Sequence, residues 1–265
     1  MKTFFTASVL SLCLCAVAAT AEEKLRDLAP DRPDTTESAY TVDAGHWQLE
    51  TSFADFTRDR DGGGSHTHSW AFADSNIKYG LTAQDDLQFV VSPFAFEQSG
   101  TPHERTYGTS DITLRWKHNF WGNDDGETAF ALMPFLILPT GSQLSSDHLE
   151  GGLIAPLGWS PDWAEEHGLG FGFMLEGDAV WNDEDERYDG VLVHSATCGI
   201  DLCGPLGAFV EFAGELPCDG DYLAYSNIGF TVTVNDNLMF DVGGRFGLTE
   251  ATPDLGLFVG MTFRY

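Results

Sequence analysis

His66 and His68 are one residue apart, so on an extended chain both rings point the same way and could reach one metal ion. They follow an Asp- and Gly-rich run from Asp59. A solvated loop pair is the plainer reading, and no metal site is expected. Glu176 and Asp178 also share a face, and carboxyls so placed can divide acid and base roles. On a regularly alternating strand they read instead as rungs of a polar ladder. A hydroxyl nucleophile and its imidazole base on one strand face would need even spacing. His194 and Ser195 are adjacent and point to opposite faces, and His-x-Ser occurs nowhere in the chain. These patterns give no catalytic residues, no cofactor and no enzyme, with an outer-membrane hydrolase the least favoured class.

The elements that carry these residues alternate with period two. Leu255 to Tyr265 is the clearest: Leu255, Leu257, Val259, Met261, Phe263 and Tyr265 share one face, and Gly256, Phe258, Gly260, Thr262 and Arg264 the other. One apolar face runs to a terminal aromatic, as in the closing strand of a transmembrane β-barrel, with lipid outside and a polar lumen inside. Such a strand must pair with the first, because a spanning sheet in lipid leaves no open edge. The same alternation marks strands at 46–56, 111–120, 169–181 and 238–248, with further strands between them. The count is about twelve, and the predicted fold is all-β: an antiparallel transmembrane β-barrel of outer-membrane type over residues 45–265. Residues 128–138 are apolar on both faces and have no predicted orientation.

The start of the chain fits an exported protein. Met1–Thr3 is basic, Phe4–Val17 apolar, and Ala19-Thr20-Ala21 a cleavage signal, giving a predicted signal peptide at 1–21. The chain has 13 Lys and Arg against 41 Asp and Glu, a net charge of −28, which excludes nucleic acid as a partner. Its 29 Gly and 13% aromatic content suit tight turns and aromatic girdles. Residues 22–44 are polar and do not alternate. They are expected to form a periplasmic or plug-like segment.

Within that segment, Asp31-Arg32-Pro33-Asp34-Thr35-Thr36-Glu37-Ser38 leads through Tyr40-Thr41-Val42 to Ala44-Gly45-His46-Trp47-Gln48-Leu49-Glu50. This run, with Glu150-Gly151-Gly152 and the closing strand, resembles the outer-membrane transporters grouped as the phenol-degradation meta-pathway family. The resemblance implies an outer-membrane barrel with a transport role and an association with aromatic compounds. It carries over no catalytic residues.

The face expected to line the lumen carries Glu50, Asp111, Arg115, Lys117, Glu176, Asp178, Glu211, Asp241, Arg245 and Arg264. Six acids and four bases nearly balance, and Asp241 with Arg264 is an expected ion pair. The outward faces of strands one, four, seven, eleven and twelve show no Lys or Arg, in keeping with a lipid contact. Two functions follow. One is a passive transporter or channel for small molecules, hydrophobic or aromatic ones being those the resemblance suggests. The other is a structural barrel closed by salt bridges or by the N-terminal segment. The expected partners are the outer-membrane bilayer, the barrel-assembly machinery and a small solute. After the leader three thiols remain. Cys198 and Cys203 flank a predicted turn at 201–205 and form a candidate disulfide, with Cys218 free at the opposite rim. Asp183–Glu186 at one mouth and Asp124, Asp125, Asp162, Glu165 and Glu166 at the other make both mouths negative.

Overall fold

The computed structural model describes residues 25–60, 66–100 and 104–265, so the predicted leader lies outside the described residues. The alternating segments pair into one antiparallel sheet that closes on itself. Its strands are β1 (Trp47–Arg60), β2 (His66–Phe72, continuing as Asp74–Gly80), β3 (Asp85–Val91, continuing as Phe94–Ser99) and β4 (Glu104–Gly108, continuing as Ile112–Trp121). They are followed by β5 (Thr128–Leu138), β6 (Glu150–Trp159), β7 (Leu169–Asn182) and β8 (Arg187–Cys203). The last four are β9 (Leu206–Pro217), β10 (Leu223–Asn235), β11 (Leu238–Gly247) and β12 (Leu255–Arg264). One short helix, α1 (Asp162–Glu165), lies in the β6–β7 connection. β12 returns to β1 with Gln48 opposite Arg264 and Glu50 opposite Thr262, closing the twelve-stranded barrel.

Exposure is inverted relative to a soluble barrel. On β4, Leu114 and Trp116 are 43% and 47% exposed, while Lys117 and Asn119 are fully buried. A soluble barrel would bury the first pair and wet the second. An outer face that meets lipid produces the observed order. β5, which the sequence leaves without an orientation, turns Ala129, Ala131, Met133 and Phe135 inward and Leu136 outward.

Four neighbouring strands are interrupted about half-way up. β1 shifts register between Ser52 and Ala54, and β2 breaks at Ala73, whose φ is +55°. β3 breaks at Ser92-Pro93 and β4 at Thr109–Asp111. An extra residue in a strand reverses which side chains face in. Below the break Gln48, Glu50 and Ser52 point inward; above it Asp55 does, opposite Phe258, and Phe56 points outward opposite Leu257. His66 and His68 belong to the upper half of β2 and not to a loop. Their rings stack with centroids 6.4 Å apart on the outward face.

β8 continues to Cys203, past the point where the sequence suggested a turn. Cys198 and Cys203 therefore lie roughly 16 Å apart along one extended strand, beyond the ~7 Å that a disulfide can bridge. The candidate Cys198–Cys203 bond does not form; both are free thiols, as is Cys218. The Cys218 N–H donates to the Gly190 carbonyl at 2.8 Å, at the other end of β8.

Candidate functional site

Residues 25–46 form no regular structure among themselves, so their backbone groups need partners elsewhere. Side chains on the inner face of the barrel supply them. The Asp31 carboxylate receives Lys117 Nζ at 2.7 Å and also pairs with Lys78. Lys78 bridges onward to Glu50, whose carboxylate accepts the N–H groups of Asp31 and Arg32 at 3.0 and 3.1 Å. The Arg32 guanidinium forks onto Asp241 at 2.6 and 2.8 Å and donates to Ser52 Oγ at 2.8 Å. Gly260 makes room for that fork, since a Cβ there would stand 2.6 Å from the guanidinium carbon. Glu211 accepts the N–H groups of Thr35 and Thr36 at 2.8 and 2.7 Å, and Glu37 pairs with Arg115 at 2.6 Å. Further along, Asn119 donates to the Ala39 carbonyl at 2.8 Å, and the Val42 N–H donates to Asp86 at 3.1 Å.

Charges this deep are tolerated only when paired and hydrogen-bonded. Burial would raise the Asp31 carboxyl, but the Lys117 and Lys78 ammonium groups outweigh it and hold Asp31 well below the usual carboxylate range. Burial pushes Glu37 up to about 7, with Arg115 opposing and Asp31 reinforcing the rise. Asp34 is the exception within the motif, because no cation pairs with it among the described residues. Burial and the neighbouring Glu211 charge push it up to about 8.

The wall from β5 to β8 differs in kind. Met133, Phe135, Ile154, Met174 and Val193 form a buried apolar cluster on its inner face, extended by Ile137 and Val191. Lower down, Ala129 and Ala131 pack against Ala39 and Tyr40 of the N-terminal segment. An apolar stripe thus descends the inside of the barrel to that segment. At the rim that carries Leu25 and Tyr265, a cavity of about 940 Å³ opens, lined by Asp27, Asp34, Tyr40, Asp162 and Phe209 among others.

A closed twelve-stranded barrel with an inward-folded motif segment is the setting in which family membership can be judged. A family model described as "Putative MetA-pathway of phenol degradation" matches residues 30–265. The chain belongs to this family. Its match begins at the motif segment and runs to the last residue, so it takes in both the segment and the wall that holds it. An outer membrane channel from Pseudomonas putida F1 has a similar fold, with a TM-score of 0.61, 12% identity, and 86% of this chain and 98% of that one covered. The NanC porin is similar at a TM-score of 0.53 and 8% identity, covering 82% of this chain and 98% of its own. At these identities the likeness is one of fold. No curated protein sequence matches the chain.

In this family member the residues singled out from the sequence separate into groups. Glu50, Arg115, Lys117, Glu211 and Asp241 converge on residues 31–38. Arg264 does not meet Asp241 as expected; it pairs with Asp43 at 3.1 Å and donates to Asn237 at 2.9 Å. The reason is register: Asp241 stands opposite Gly260, and Arg264 lies beyond the end of β11. Arg245 pairs with Asp55 and stands 5.3 Å over the Phe258 ring. Asp111 sits in the break of β4, where it ties down the β5–β6 connection by accepting from Ser146 and Thr140 at 2.9 and 3.2 Å. Glu176 and Asp178 face inward on β7, half-buried and without an ion pair among the described residues. Ser195 Oγ meets Thr36 Oγ1 at 2.7 Å inside the barrel, while His194 points outward and bonds the Tyr222 hydroxyl at 3.0 Å. The two side chains are on opposite faces of the wall. Lys78, Asp86, Gln88 and Asn227 also line the inner face and were missed. Lys78 was legible from its place between Ile77 and Tyr79, had the break at Ala73 been recognised.

Proposed function

We propose that the protein is a passive outer-membrane channel for small, largely apolar solutes, and that residues 25–46 are a plug within its lumen. The observation that carries this reading is the apolar stripe of Met133, Phe135, Ile154 and Met174, which descends beside a segment held on its other sides by ion pairs and hydrogen bonds. A solute entering from the rim opposite Leu25 and Tyr265 follows that stripe past Glu176 and Asp178, which lie beside Ile154 and Val193, without crossing the ion-paired wall. The family's link to phenol degradation and the fold shared with an outer membrane channel support the same reading. The protein is non-enzymatic on this view, reaching its membrane through the leader at 1–21. The aromatic end of the closing strand, Tyr265, is the feature that the barrel-assembly machinery would read.

The experiment compares the full chain with a variant lacking residues 25–42, each checked for folding by heat-modifiable migration. Single-channel recording should show small conductance for the full chain and a several-fold increase for the deletion. Liposome uptake of a neutral aromatic solute should be measurable in both. A folded deletion variant that conducts no better than the full chain would remove the plug from the proposal. Absence of uptake and conductance in both would favour the second reading, a structural barrel without a pore. The dense pairing of residues 31–37 is what keeps that second reading open.

A further inference from the structure

Above the break, the halves of β1 to β4 sort their residues by face. In register across the four strands, Arg58 stands opposite His68, His68 opposite Gln98 and Gln98 opposite Arg105. One step below lies a second row, Phe56, Trp70, Phe96 and Tyr107, each opposite the next. Residues paired across a sheet project to the same side, and Phe56 is fixed outward by its pairing with Leu257. Both rows are therefore on the outer wall. The acids of the same strands, Asp55, Asp59, Glu97 and Glu104, all fall on the inward face by the same registers. Arg60, opposite His66, joins the outward set.

The pairing of cations sharpens this pattern. In a chain with 41 acids and 13 bases, almost every described Lys or Arg has a carboxylate within ion-pair distance. Among the described residues only Arg58 and Arg105 do not. Arg105 donates to Gln98 at 3.0 Å, and Arg58 Nε is buried without a hydrogen-bond partner. The two unpaired guanidinium groups thus sit in one row, on one face, over one stretch of aromatic rings. Those rings touch: Phe56 and Trp70 have centroids 4.6 Å apart, and Phe96 and Tyr107 5.8 Å.

Height fits a headgroup. At ~3.3 Å per residue and a strand tilt of ~40°, Arg58 lies roughly 28 Å above Trp47 along the barrel axis. The apolar band of such barrels is ~25 Å tall and edged by aromatics. With Trp47 at one interface, the aromatic row marks the other, and the Arg58–Arg105 row stands just beyond it. Planar guanidinium groups there match phosphate oxygens in charge and shape.

We infer that the outward face of β1 to β4 docks a phosphorylated glycolipid of the outer leaflet, its phosphates on Arg58 and Arg105 and its acyl chains against Phe56, Trp70, Phe96 and Tyr107. The inference requires that the rim opposite Leu25 and Tyr265 face the outer leaflet; it does not require that the lumen conduct.

The test uses the full chain in detergent, with lipid A carrying both phosphates, lipid A enzymatically stripped of them, and inorganic phosphate as probes, read by native mass spectrometry. Intact lipid A should bind at saturable stoichiometry. Dephosphorylated lipid A, and intact lipid A on R58Q/R105Q, should bind at least tenfold more weakly. R187Q, which alters a rim cation already paired with Asp189, should bind as the parent does. W70A should also weaken binding without altering charge, and it serves if the double variant fails to fold. Equal binding of the stripped lipid, unchanged binding by the double variant, or displacement by inorganic phosphate at low millimolar concentration would overturn the inference. So would equally tight binding of phosphatidylglycerol or of an acidic peptide, since either would mean unspecific attraction of anions. Conductance recorded on R58Q/R105Q should match the parent, which separates failure here from failure of the channel reading.

Discussion

The inner wall of the barrel meets the N-terminal segment in two ways. From β9 through β12 and on to β4, Glu211, Asp241, Glu50, Lys78, Arg115 and Lys117 grip residues 31–38 atom by atom. From β5 to β8 the contact is mostly without direction, from Met133, Phe135, Ile154, Met174 and Val193, with Ser195 bonding Thr36 and with Glu176 and Asp178 inward but in no ion pair among the described residues. Ion pairs with hydrogen-bonded partners fix position and register, and they penalise any arrangement that leaves one charge alone. Apolar contact fixes neither, and it tolerates sliding and replacement. A wall built this way holds a segment in place on one side and leaves the other side fit for passage.

The comparison breaks most visibly at Lys117. Its ammonium is fully buried and shared by Asp31 and the Ser38 carbonyl. K117M leaves Asp31 with half of its counter-charge, and removing one partner of a buried pair costs ~3–5 kcal/mol. Residues 25–42 should then become protease-sensitive in folded barrels, and conductance should rise several-fold. A protected segment in K117M would mean that the charged wall does not hold it.

Met133 probes the other side. M133A in the buried cluster should lower stability by about 2 kcal/mol, read as a reduced unfolding temperature in detergent. It should slow uptake of neutral aromatic solutes and leave ionic conductance nearly unchanged. A change in conductance as large as that of K117M would erase the distinction between the two walls.

Acidity sharpens the comparison through Asp34. Its carboxyl is raised to about 8 in the docked segment and returns to the ordinary range when the segment leaves. A group raised in the docked state supports docking fully below its undocked value and loses that support as pH climbs to the docked one. Segment release, followed as open probability, should therefore increase from about pH 4 to pH 8 and level off above. D34N should remove most of that dependence. A wild-type profile that falls with rising pH would contradict the sign.

The smallest effect is expected at the mouths. Asp183 to Glu186 are exposed, and screening acts over ~10 Å at 0.1 M salt. Neutralising them should reduce cation preference by less than about two-fold at low salt, with no difference at 1 M and no effect on neutral solutes. Reversal potentials in a salt gradient measure it.

Much of the site was legible where strands alternate without interruption. On β4 the parity of Arg115 and Lys117 against Leu114 and Trp116 set the inward face, and the same rule found Glu50, Glu211 and Asp241. It failed wherever one residue broke the count. The shift at Phe53 and the break at Ala73 reverse the faces, which hid Lys78 and left Arg58 and His68 off the outer wall. It was also silent about β5, because an inner face that packs apolar side chains against its neighbours reads like one that meets lipid. The Cys198–Cys203 pairing failed on a strand end, the least certain feature of any periodic reading.

From the sequence alone came the inside-out barrel, its strand number and its closing strand, because each rests on local period and composition, and its family, because the run from Asp31 to Glu50 is contiguous in the chain. The tertiary structure alone decided which charge meets which. Asp31 lies 47 positions from Lys78 and 86 from Lys117, and Arg32 lies 209 from Asp241. No local pattern encodes such pairs. They exist because the closed wall brings distant strands around one segment, where a buried charge must find its opposite or remain outside.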